Sequence, residues 1–176
     1  MISESHPLHR MFRGLTESTF MAELGVGDPS LVGYVSNLLA TFAPAEALGR
    51  IRDREGRPLF EVARILAEAD AAEDEERRGE CYRHAGDFAL FWTGLYPDAL
   101  RRLVAGKADA LLDYQFQGKR SYYLASTLVP GDDDRPVLRD LSEHFELYAF
   151  GLSRVRDELD KLEAEGAALP SHVIWT

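Results

Sequence analysis

The chain has 176 residues, 45% of them hydrophobic and 28% charged, with a formal net charge of −10. That length suits one domain with a core of its own, and the acidic balance excludes a protein built mainly to bind nucleic acid, since phosphate recognition needs a basic surface. A single cysteine, Cys81, excludes an internal disulfide and any multi-thiolate metal site, and fits a reducing compartment.

The opening residues, MISESHPLHRMF, lack the cationic start and apolar run of a signal peptide. No apolar run approaches the roughly 20 residues that cross a bilayer, so a cytoplasmic protein is expected. His6 and His9, within HPLH, are expected to be frayed and exposed. Leu8, Met11, Phe12, Leu15, Thr19 and Phe20 recur at three- and four-residue steps and predict a first helix from Pro7 to Leu24, stopped by Gly25 and Gly27. Asp28-Pro29 then supplies a cap and a first-turn proline for a second helix, with Leu31, Val32, Val35, Leu38, Leu39 and Phe42 inward.

Pro44 opens a short helix or turn through Leu48, and Arg50 to Pro58 reads as a polar joint in which a short hairpin would be the only β structure. From Leu59 to Ala71 the helical period returns, with Leu59, Val62, Ala63, Leu66 and Ala69 inward. The acidic run Glu73–Glu76 suits the positive end of a helix dipole and marks the start of the next helix.

That next helix, centred on Cys81 to Pro97 (CYRHAGDFALFWTGLYP), is apolar around most of its circumference and belongs inside a bundle. A proline disfavours helical geometry just before it, so the helix ends at Tyr96-Pro97. A short amphipathic piece, Asp98 to Val104, precedes a long helix from Ala108 to Leu128. There Leu111, Leu112, Phe116, Tyr123 and Leu124 are placed toward the core, beside a polar column of Gln115, Lys119, Tyr122 and Ser126. Gly118, costly in mid-helix by about 1 kcal/mol, points to close packing or close ligand approach.

The loop Val129 to Pro136 is the clearest break in the chain. After it, Leu138, Leu141, Phe145, Tyr148, Leu152, Val155, Leu159 and Leu162 form a coiled-coil-like seam on one helix from Val137 to Glu165. Leu147 and Phe150 lie off the seam, so the front half of this helix is expected to meet two neighbours. The distal seam, Val155-Leu159-Leu162, is expected to pair with a second copy of the chain about a two-fold axis. The apolar tail, residues 166–176, is expected to dock.

Two constellations carry possible chemistry. Glu80, His84 and Asp87 share one helical face, and Asp140 with His144 offers a matching pair, so a metal site of the kind that carboxylate and histidine ligands build in di-iron bundles is one expectation. The spacing is Glu-x3-His rather than Glu-x-x-His and has no second copy; the plainer alternative has His84 and Asp87 satisfying each other or backbone groups. The second constellation, Gln117-Gly118-Lys119-Arg120-Ser121-Tyr122-Tyr123, offers cations and hydroxyls that could hold a small anion. Its alternative is a surface pair with buried aromatic stems. Cys81, with Arg83 and His84 nearby, lacks the partners of a nucleophile and reads as a buried structural residue.

The blocks HPLHRMFRGLTESTF, HAGDFALFWTGLYPDALRRL, DYQFQGKRSYYLAS and LSEHFELYAFGLSRVR resemble those of bacterial all-helical proteins with no assigned function. The resemblance covers most of the chain and implies a bacterial cytoplasmic setting. It carries over no activity, cofactor or catalytic residue.

The expectation is an all-α, single-domain bundle of about six or seven helices, with an aromatic-rich central helix and a long C-terminal one. The leading function is a non-catalytic binding or interaction protein, a homodimer, whose polar-aromatic pocket is lined by His84, Asp87, Trp92, Lys119, Arg120 and Tyr123 and takes a small anionic ligand. A metal-dependent bundle enzyme using Glu80, His84, Asp87, Asp140 and His144 is the alternative, and a pure interaction scaffold the third reading.

Overall fold

The structure, a computed structural model, describes residues 7–42, 62–98, 100, 110–128 and 133–166. Within them the chain is an all-α bundle of seven helices with no strand: α1 (Pro7–Thr19), α2 (Pro29–Phe42), α3 (Val62–Ala71), α4 (Glu75–Leu95), α5 (Ala110–Leu128), α6 (Arg135–Glu143) and α7 (Phe145–Ala164). The short helix expected at Pro44–Leu48, the polar joint at Arg50–Pro58 and most of the C-terminal tail lie outside the described residues. No described helix is long and apolar enough to cross a membrane.

The boundaries follow local chemistry. A π-helical turn, Phe20–Leu24, extends α1 until Gly25, whose φ of 69° is the left-handed geometry that glycine adopts without penalty. Asp28 accepts the Ser30 amide at 2.9 Å and so caps α2. Asp74 does the same for α4, accepting the Arg77 amide at 2.6 Å with Glu75 and Glu76 in the first turn.

Helix α4 is the axis of the bundle, packed by α2, α3, α5 and α7. Its buried residues run round the circumference, from Cys81 and Tyr82 through Phe88, Leu90 and Phe91 to Leu95. On α3 the inward side chains are Val62, Ile65 and Ala69; Ala63, placed inward by the sequence pattern, is exposed because Ile65 takes the core position. His9 is also a correction: it is 4% exposed, tucked in beside Leu8 and Phe12 as α1 docks.

Two larger corrections concern α5 and the last helix. Tyr122, Ser121 and Ala125 face the interior of the bundle, while Phe116 and Tyr123 are 62% and 46% exposed. The reason is close helix approach. A methyl group at Gly118 would collide with the Phe145 ring and stand 3.0 Å from Ala89 Cβ, so the face carrying Gly118, Ser121, Tyr122 and Ala125 makes the contact and Phe116 and Tyr123 are turned out. The single helix expected from Val137 to Glu165 is two, α6 and α7, broken at His144 (φ −117°, ψ 30°). At the break the Asp140 carboxylate accepts from His144 Nδ1 at 2.8 Å and from the Tyr148 hydroxyl.

The leucine seam runs across the break and is covered within the chain as far as Leu159, with Leu162 half-buried. Leu138, Leu141, Phe145, Leu152, Val155 and Leu159 are all essentially inaccessible, with α7 lying against α4, α1 and the π turn. Leu147 and Phe150 are 40% and 53% exposed; the front of α7 does meet more than one neighbour, but through Leu152 on α4 and through Tyr148 and Gly151 on the π turn, and not through these two.

Candidate functional site

The chemistry of this chain concentrates on Asp87, a carboxylate on the most buried helix of the bundle. An ionised carboxylate needs donors when it leaves water. Here Tyr34 of α2 donates to Asp87 Oδ1 at 2.7 Å, and Tyr122 of α5 donates to the same oxygen at 2.9 Å. Three helices therefore meet on one atom. Oδ2 receives no hydrogen bond from a described residue, and Asp87 lines a cavity of about 200 Å³ between α2 and α4.

Gly86 makes the Tyr122 contact possible. A β-carbon there would lie 2.7 Å from the Tyr122 ring, so only glycine lets the ring lie along α4 and bring its hydroxyl to the neighbouring residue. Burial raises the Asp87 carboxyl from its ordinary 3.8 to about 6, against the opposing pull of the two phenols and of Arg83. Burial, reinforced by the charge of Asp87, pushes both tyrosines well above their ordinary value, so they remain donors across the neutral range.

The rest of the cavity wall comes from α2, α4 and the start of α6. Arg83, one turn before Asp87, pairs with Asp134 at 3.3 Å. Asp134 stands at the N-cap of α6 but makes no side-chain capping bond. Its carboxylate turns to Arg83 instead and ties α6 to α4. His84 is buried with its ring stacked on Phe42, centroids 5.3 Å apart. Asn37, half-buried, presents an Oδ1 that is shut from solvent and accepts no hydrogen bond among the described residues. The wall thus carries two fixed carboxylates, one guanidinium already engaged, and aromatic faces from Tyr34 and Phe42.

Of the six residues expected to share a pocket, His84 and Asp87 line this cavity. Lys119, Arg120 and Tyr123 border a separate open hollow of about 540 Å³ with Phe116 and Glu146. Lys119 Nζ reaches both carboxylate oxygens of Glu146 at 2.9 and 3.0 Å, and this holds the Glu146 carboxyl below its usual range. Tyr123 lies under the Arg139 guanidinium, 4.6 Å from its ring centre. Trp92 belongs to the aromatic cluster of Phe88, Phe91 and Tyr96, lines neither hollow, and has an Nε1 that is buried without a described acceptor.

The five residues of the metal alternative are not brought together. Glu80 is exposed and faces Arg77 at 3.5 Å, Asp87 holds the two phenols, and Asp140 with His144 forms its own exposed pair on α6. Among the described residues no group of three or more His, Cys, Asp or Glu side chains is arranged to hold an ion. Tetrahedral or octahedral coordination needs its ligands within bonding distance of a single point. Cys81 is buried and its thiol is pushed up by that burial, which suits a packing residue and not a nucleophile.

Tyr34, Asn37, Arg83 and Tyr122 are the site residues that the sequence reading missed. Tyr122 had a legible signal, since it fell in the polar column of α5 beside bulky neighbours. Tyr34 and Asn37 had none, because nothing in α2 alone shows that its face meets Asp87. No protein-family model matches the chain, and no match is found among curated proteins or solved structures.

Proposed function

We propose that this protein is a non-catalytic, cytoplasmic small-molecule binding protein whose ligand occupies the cavity between α2 and α4. One observation carries the reading: a carboxyl lines a cavity while both of its protein donors fall on one oxygen, which leaves the other without a described partner. Asp87 is half-buried, so this second oxygen is open to water or to the donor of a ligand in the cavity. The enclosing aromatic and polar wall is the usual make-up of a ligand site, at a volume below that of drug-sized pockets. The anionic ligand expected at Lys119 and Arg120 has less support, because the Lys119 charge is answered by Glu146.

The test is a fragment screen by amide chemical shifts on the labelled protein, repeated on Thr41→Trp, which fills the cavity from its edge. Hits that move the Tyr34, Asn37 and Asp87 resonances of the parent and vanish in a folded Thr41→Trp variant are expected. A screen without such hits, or hits indifferent to Thr41→Trp, would overturn the reading. The scaffold reading keeps one supporting observation, the exposed apolar side chains Phe116 and Phe150.

A further inference from the structure

Proteins hold charged ligands by matching fixed charge, so the cavity can be asked which sign it awaits. Its ionisable wall consists of Asp87, Asp134, Arg83 and His84. Arg83 pairs with Asp134 at 3.3 Å and also acts on Asp87, so two carboxylates share one guanidinium and the balance of fixed charge among these three is negative. The neutral donors nearest to Asp87, the hydroxyls of Tyr34 and Tyr122, are already spent on Oδ1. Asn37 Oδ1, also an acceptor, is a second polar atom without a described partner, and His84 Nε2 in the same wall is shut from solvent too and donates or accepts according to its tautomer. Asp87 Oδ2 and Asn37 Oδ1 call for a ligand that brings N–H groups, and His84 Nε2 can join them as an acceptor in its Nδ1–H tautomer. Tyr34 adds aromatic surface to the same wall, while the Phe42 ring is stacked on His84. The chain as a whole, at −10, draws cations toward its surface.

We propose that the cavity binds a small organic cation, a primary ammonium or guanidinium group on a compact apolar body, with Asp87 Oδ2 as its counter-charge and Asn37 Oδ1 as a second acceptor. The inference rests on the binding function argued above and names the ligand class for that same site. Size agrees with the class. At roughly 30 Å³ for each water of liquid volume, 200 Å³ holds a ligand equivalent to a handful of waters, enough for one aromatic ring with an aminomethyl group. An anion would meet Asp87 and Asp134 with Arg83 already engaged. A neutral alcohol would supply a donor and leave the negative balance of charge in place.

Three probes of nearly one shape separate the possibilities: benzylamine, benzyl alcohol and benzoate, each titrated at pH 7.5 by calorimetry and by amide chemical shifts. Benzylamine is expected to bind at least tenfold more tightly than either of the others and to move the Tyr34, Asn37 and Asp87 resonances. Asp87→Asn keeps an acceptor for both phenols while removing the charge, and is expected to weaken benzylamine at least tenfold without unfolding the chain. Asn37→Ala, a second variant independent of the carboxylate, is expected to weaken it several-fold. Benzoate or benzyl alcohol binding as tightly as benzylamine in the cavity would overturn the cation class while the binding function stands. Benzylamine binding unchanged in Asp87→Asn would also overturn it. Silence from all three probes overturns the cation class at this size, and silence from the fragment screen as well removes the binding function itself.

Discussion

Tyr34 and Tyr122 donate their phenolic hydrogens to the same oxygen of Asp87, at 2.7 and 2.9 Å, from two different helices. Hydrogen bonds to a charged acceptor contribute about 1.5–3 kcal/mol each. Tyr34→Phe and Tyr122→Phe should therefore each lower stability by about that amount in chemical denaturation. Both bonds favour the ionised carboxyl, so each variant should also raise the Asp87 titration above about 6, read by carbon-detected carboxyl NMR. A titration that stays put or falls would mean that the phenols do not act on the carboxylate.

The pH dependence has a definite sign. Burial raises the folded carboxyl of Asp87 to about 6 from an unfolded value near 3.8, so between these values the native state holds a proton that the unfolded state has released. Its favourable contribution is complete below about pH 4 and is lost as pH rises through about 6, with a span of roughly 2–3 kcal/mol. Asp87→Asn removes this titration. Its melting temperature relative to the parent should climb between pH 4 and pH 7 and then level off; a flat difference would show that Asp87 is not desolvated.

Glycine substitutions separate packing from backbone propensity. Gly14 in α1 has open space beyond its Cα, so Gly14→Ala should stabilise by about 0.5–1 kcal/mol through helix propensity alone. Gly118→Ala drives a methyl into Phe145 and Ala89, and should destabilise by about 1–3 kcal/mol despite the same propensity gain. Equal melting shifts for the two variants would contradict the close contact of α4, α5 and α7.

The distal seam gives a further check. Leu159 is 1% exposed within a single chain, so Leu159→Lys should strand a charge in the core and cost at least about 3 kcal/mol, seen as a large fall in the melting midpoint. Sedimentation equilibrium on the same variant addresses the homodimer expected from the sequence through the last helix. A dimeric parent that dissociates on Leu159→Lys into monomers of unchanged stability would place Leu159 at an interface between copies and not inside the chain.

The sequence was most readable where one residue type dictates local geometry. Gly25, the Asp28-Pro29 pair and the acids before Arg77 announced three helix boundaries to within a residue or two, and the aromatic run of α4 announced the centre of the bundle. It misled on α5 because a reading by size puts Phe116 and Tyr123 inward, whereas close approach at Gly118 sets the inward face to Gly118, Ser121, Tyr122 and Ala125. The break at His144 was equally hidden, since an uninterrupted seam from Leu138 to Leu159 hides a local backbone change that keeps the same face inward. Half of the site lay beyond reach for a different reason. Asp87 was visible as a polar residue in an apolar helix, but its donors sit 53 positions before it and 35 after, and only tertiary packing pairs them.

Because the Tyr122 ring lies on Gly86, neither position can drift alone in descent. Any side chain at 86 displaces the ring, withdraws the phenol from Asp87 and leaves a desolvated carboxylate with one donor. A lineage that keeps Asp87 is thereby held to glycine at 86 and tyrosine at 122. A lineage that first exchanges Asp87 for an uncharged residue is released at both, and the three positions should then turn over together among this chain's descendants.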